Sequence, residues 1–123
     1  MSNKMKGLFL DDERNPEDLT WIKYPENIDW TVVRNYTEFF YEFYRGQFQV
    51  ISLDHDIQDY NDRGVELTGY SALKSMLDTF ITAPPGLYTL PEQVLFHTQN
   101  PVGELNMESY WNNFCKHFKC ENE

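Results

Sequence analysis

Gly7–Pro16 reads GLFLDDERNP, and this stretch decides the fold. Its apolar run, Leu8-Phe9-Leu10, breaks into Asp11-Asp12-Glu13-Arg14 and then Asn15-Pro16. A short apolar run without polar alternation suits a strand buried on both faces of a parallel sheet. The polar residues then fall at its carboxyl end, the edge where open α/β sheets bind ligands. The same design recurs twice. Phe48–Leu53 runs into Asp54-His55-Asp56, and Glu92–Phe96 runs into His97-Thr98-Gln99-Asn100-Pro101.

Working outward, Trp30–Arg34 reads as a further strand by its β-branched content. Tyr36, Phe39, Phe40, Phe43 and Tyr44 recur at helical spacing, with Thr37 as the amino-terminal cap and Gly46 as the stop. A second helix begins at Thr68, places Tyr70, Leu73, Met76, Leu77 and Phe80 on one face, and ends at Ala83-Pro84-Pro85-Gly86. A last helix carries Met107, Tyr110, Trp111, Phe114 and Phe118 on one side, with Asn100 as cap and Pro101 at its first position. Gln58–Glu66 reads as a polar loop, and Glu17–Asp29 as a loop with one helical turn near Asp18–Ile22. Strand alternating with helix predicts an α/β fold: about four parallel strands in the order 2-1-3-4, with helices on both faces. That order gathers Asp11, Asp12, Asp54, His55, Asp56 and His97 at one edge.

The composition bounds the rest. A chain of 123 residues is expected to form a single domain over 1–123, and its 9 Phe, 8 Tyr and 3 Trp argue against disorder. The net charge of -10 opposes undirected binding to nucleic acid or anionic lipid. It leaves room for a small phosphate-bearing ligand held by a metal ion or an Arg, and for an acidic surface that blocks a basic protein partner. No run of about 18 apolar residues spans a membrane, and the amino terminus lacks the pattern of a signal peptide. A cytoplasmic location is expected, with Cys115 and Cys120 as thiols rather than a disulfide or a zinc site.

Three carboxylates about 5 Å apart would repel pairwise by roughly 3 kcal/mol at an effective dielectric near 20. Relief can come from a divalent cation such as Mg²⁺ or Mn²⁺ on Asp11, Asp12, Asp54 and Asp56, from Arg14, or from a proton shared between two carboxyls. His55 and His97, each directly after a strand, could supply general acid and base to a phosphate ester. A helix starting at Pro101 would turn free N–H groups toward the same edge. His117 and Lys74 read as solvated.

LFLDDERNP, SLDHD and HTQNPVGELNM, in that order, resemble the cyclic-phosphate-processing receiver-like domain family. The resemblance implies a small three-layer, flavodoxin-like fold. It also implies a pocket built from Asp11 and Asp12, from Asp54, His55 and Asp56, and from His97 with Asn100, Arg14 matching the DDER element. The activity it implies is processing of cyclic phosphates, such as RNA 2′,3′-cyclic ends or cyclic nucleotides. On this reading Asp54, His55 and His97 are catalytic, and Arg14, Thr98 and Asn100 bind the substrate. The alternatives are a binder that sequesters such a ligand and an acidic interaction protein. Two-component receivers are similar in the acid pair and in an acceptor at Asp54. They also need a Lys at the end of a fifth strand; after Thr98 the only Lys are Lys116 and Lys119, and Glu17–Asp29 lacks the helix a receiver has there.

Overall fold

A computed structural model describes residues 4–118. Four parallel strands form the sheet: β1 (Met5–Leu10), β2 (Ile28–Val33), β3 (Val50–Leu53) and β6 (Gln93–Phe96), in the spatial order β2-β1-β3-β6. This is the order the sequence predicts, a receiver-like α/β fold. Leu10 pairs with both Val33 and Leu53, and Leu53 with Phe96, so all four strands end at one level. Whatever follows Leu10, Leu53 and Phe96 therefore meets at a common rim.

The helices are α1 (Tyr36–Arg45), α2 (Gly69–Thr82) and α3 (Pro101–Phe118). Their buried side chains, among them Phe39, Leu73, Met76, Met107 and Phe114, join one core with Leu8, Leu10, Ile51, Leu53 and Val94. Strand residues alternate between faces, so that core marks a single face of the sheet. Helices on both faces are the expectation; all three long helices instead share this one. Right-handed crossovers explain it, because connections running opposite ways along a sheet lie on opposite faces. β2→β3 and β3→β6 run one way and carry α1 and α2. β1→β2 runs the other way through residues 11–27, which hold only the 3₁₀ turn Pro16–Asp18. The second face is therefore covered by loop and aromatic side chains: Phe9 meets Tyr24 and Trp30 edge-on, at 6.2 and 5.8 Å between ring centroids.

Several local expectations shift. The 3₁₀ turn comes earlier than Asp18–Ile22 because Pro16 is pre-set for a first helical position and the Asp18 carboxylate accepts the Asn15 N–H at 2.8 Å. Asn35, not Thr37, caps α1: its side-chain oxygen accepts from Glu38 N at 2.8 Å from extended backbone. The loop Gln58–Glu66 contains a small antiparallel pair, β4 (Asp59–Tyr60) and β5 (Glu66–Leu67), closed by a turn in which Gly64 takes φ +77°. Thr68 caps α2 as the sequence indicates. Cys115 is buried in the core, whereas Cys120 and Lys119 lie outside the described residues. His117 and Lys74 are exposed. No helix is long and apolar enough to cross a membrane among the described residues.

Candidate functional site

Asp11 directly follows β1, and its carboxylate turns back under its own loop. Oδ1 accepts the Glu13 and Arg14 N–H groups, both at 2.9 Å, and Oδ2 lies 3.1 Å from His97 Nε2. His97 directly follows β6. Its Nδ1 is 2.8 Å from Ser52 Oγ, which is 2.6 Å from the Tyr24 hydroxyl, and its ring stacks on Phe9 at 4.3 Å. Asp11, Ser52 and His97 are each fully buried. A carboxylate can only accept, so Nε2–H donates to Asp11; with a neutral ring, Nδ1 then accepts from Ser52 and Ser52 accepts from Tyr24. Every polar hydrogen in this chain then has a partner.

Above it lies a cleft of about 490 Å³ lined by Asp12, Glu13, Arg14, Asp54, Asp56, Gln58, Thr98, Gln99, Asn100 and Pro101. Asp54, at the end of β3, accepts the His55 N–H at 2.8 Å and a hydrogen bond from Thr98. Asp56 is spoken for on both oxygens, by His55 Nδ1 at 2.9 Å and by the Asn100 amide at 3.1 Å. Asn100 also caps α3 by accepting Gly103 N–H at 3.0 Å. Two glycines allow this close approach. A Cβ on Gly69 would sit 1.7 Å from the Asp54 carbonyl oxygen, and one on Gly103 would sit 2.5 Å from His55 Cγ.

The electrostatics divide the carboxyls. Burial raises Asp54, and the charge of Asp11 raises it further against hydrogen bonds from Thr98 and His55. Asp12 is raised for the same first reason, with Asp11 and Glu13 adding to it. Burial pushes Asp11 the same way, but the bonds from His97, Arg14 and Glu13 outweigh it and hold this carboxyl below its ordinary value. Asp56 is lowered chiefly by the His55 hydrogen bond, which with Asn100 outweighs partial burial. Ligand atoms of Asp11, Asp54 and His97 lie within 4.8 Å of one another.

A strand order of 2-1-3-4, a double acid after the first strand and acid–His–acid after the third are now on the page together. The profile of the cyclic-phosphate processing receiver domain matches residues 6–113. The chain belongs to that family. No curated protein and no solved structure matches it.

Within this cyclic-phosphate processing receiver domain, the rim brings together every site residue the sequence singles out, but at two depths. Asp12, Arg14, Asp54, Asp56, Thr98 and Asn100 line the cleft. His97 and Asp11 lie beneath it with their polar atoms engaged, so His97 has no ring nitrogen open to a ligand. His55 is set to one side, its side chain 18% exposed and its ring against Gly103. Four contributors carry no motif. Arg34, from the end of β2, donates to the carbonyls of Asp11 (3.1 Å) and Arg14 (2.7 Å) and to Asn15 Oδ1 (2.6 Å), fixing the acid loop. Tyr24 and Ser52 complete the underside, and Trp21, at the rim, donates its indole N–H to the His97 carbonyl. Only Ser52 has a signal in the sequence: a lone hydroxyl inside Val50-Ile51-Ser52-Leu53 needs a buried partner.

Proposed function

We propose that the cleft binds a cyclic phosphate and opens its ring by hydrolysis. The observation that carries this reading is the pairing, at one rim, of a cationic Arg14 with a buried Asp54 whose carboxyl is pushed toward its protonated form. The Arg14 guanidinium pairs with the phosphate oxygens, and Thr98 and Asn100 supply further polar contacts from the opposite wall. Water attacks phosphorus, the bond to one ester oxygen breaks, and that oxygen takes up a proton, leaving a phosphomonoester. Asp54 and His55 exchange these protons, His55 being oriented by Asp56. His97 serves as a positioning residue: it holds Asp11, which in turn holds the Glu13 and Arg14 backbone.

The residues also fit a divalent cation. Two carboxylates whose oxygens lie within 4.8 Å, one of them raised by burial and then by the other's charge, form a donor set that a positive ion relieves. At that spacing the repulsion is about 3 kcal/mol at an effective dielectric near 20. Asp54 and Asp12, which line the cleft, would hold Mg²⁺ or Mn²⁺, with Asp11 beneath them through the lone pair left on Oδ2. Asp56, with one hydrogen bond on each oxygen, keeps a lone pair on each for the same ion. Such an ion, when bound, neutralises phosphate charge.

The test is incubation with nucleoside 2′,3′-cyclic phosphates, with Mg²⁺, with Mn²⁺ and with chelator, followed by phosphorus NMR. A phosphomonoester resonance that disappears in Asp54→Asn supports hydrolysis. The placement of the histidines favours a second reading, a non-catalytic binder, since His97 is buried beneath the cleft and His55 stands to one side of it. Saturable binding with no product in any condition would establish that reading instead.

A further inference from the structure

We propose that Trp21 is a stacking platform for a nucleobase, so that the ligand of this cleft is a cyclic phosphate carrying a base. The inference rests on the cyclic-phosphate reading above and adds the part of the ligand that the phosphate contacts do not specify. Trp21 is 39% exposed, although indole is the largest apolar surface a chain can bury. The second sheet face offers it aromatic neighbours, yet Phe9, Tyr24 and Trp30 pack on one another. Among the described residues no aromatic ring packs against Trp21.

The ring is nonetheless fixed. Its Nε1–H donates to the His97 carbonyl at 2.8 Å, so its polar atom is satisfied and what remains open is apolar. The Arg14 guanidinium lies over it, 5.2 Å from the ring centroid, and one guanidinium nitrogen is 3.8 Å from Asp11 Oδ2. Both anchors belong to the cleft: Arg14 lines it, and Thr98, the next residue after the His97 carbonyl, lines it as well. Trp21 thus sits at the rim beside the one cation of the cleft wall. In a nucleotide the base and the phosphate are a few ångströms apart, and an exposed indole next to a guanidinium offers that pair of surfaces at that scale. Every base has a π-face, so the platform selects for a base without choosing which.

The experiment uses the full chain and two probes with the same cyclic phosphate: adenosine 2′,3′-cyclic phosphate, and methyl riboside 2′,3′-cyclic phosphate, which lacks the base. Calorimetry, or KM where the probes turn over, should show the nucleoside probe binding about tenfold more tightly. Trp21→Ala should erase that difference while leaving the base-free probe within about twofold of its original affinity. Trp21→Phe keeps a ring without the N–H and should retain most of the preference; it also covers the case in which the alanine variant does not fold. Equal affinity of the two probes for the unaltered protein would overturn the platform alone. So would an equal loss of both in Trp21→Ala, which would make Trp21 a prop for the loop. Failure of both probes to bind would remove the cyclic-phosphate reading, and the platform with it.

Discussion

His97 shows how much a single residue's depth decides. A histidine after a strand has its place along the chain specified by the strand's end, but not whether its ring faces solvent or the underside. Here Phe9 stacks on it and Ser52 and Asp11 take its nitrogens, which makes it an internal strut. The far end of that chain is testable on its own. Burial, with a smaller contribution from Asp11, pushes Tyr24 up to about 12 despite its bond to Ser52. Its raised value means the protein keeps this contribution to stability below pH about 10, the ordinary value for tyrosine, and loses it as pH climbs to about 12. Phenolate absorbance should show one tyrosine ionising last, coincident with alkaline unfolding, and Tyr24→Phe should delete that step. Asp54 works in the other direction. Its raised carboxyl means that the ionised form is disfavoured in the folded protein, so Asp54→Asn should stabilise it at neutral pH. The gain is read as a rise in Tm, measured without divalent ions. It should vanish at acid pH, where Asp54 is protonated both folded and unfolded. A melting series from pH 3 to 8 checks both sign and window.

At the scale of elements, the strands were readable because each apolar run ends abruptly in charge, and equal strand ends turn that pattern into a shared rim. The second face was not readable. Residues 11–27 carry no periodicity, and Tyr24 and Trp21 become meaningful only once the crossover lays them over Phe9 and His97. Arg34 is similarly silent in sequence: one arginine after Val32-Val33 gives no hint that it grips three oxygens of the acid loop. The helix starts are more legible, since Asn100-Pro101 and Thr68 are ordinary caps, but the glycines just inside them have a purpose seen only in space. Gly103→Ala puts a methyl into the His55 ring, while alanine in a helix is worth about 1 kcal/mol over glycine. We therefore expect a melting temperature within a few degrees of the original and turnover of a cyclic phosphate reduced about tenfold, as His55 is displaced from Asp56. Gly69→Ala, by contrast, meets the Asp54 backbone and should destabilise the fold itself, seen in the same melts.

For the molecule as a whole, the excess of acid is unevenly tolerated. A net charge of -10 spread over an exposed surface is screened by ordinary salt, with a Debye length near 8 Å at physiological ionic strength. Carboxylates gathered under a loop and shielded from water are screened far less. Salt and a divalent ion should therefore separate the two populations. Raising NaCl should shift the melting temperature smoothly, and as much in Asp54→Asn as in the unaltered protein, because distant surface charges dominate that response. Mg²⁺ or Mn²⁺ at matched ionic strength should add a saturable rise in the unaltered protein only. Mass action sets its size at about 2.7 kcal/mol when the ion is a hundredfold above its dissociation constant. If the divalent increment persists in Asp54→Asn, the ion is reading the diffuse surface, and the rim acids are relieved by Arg14 and a shared proton instead.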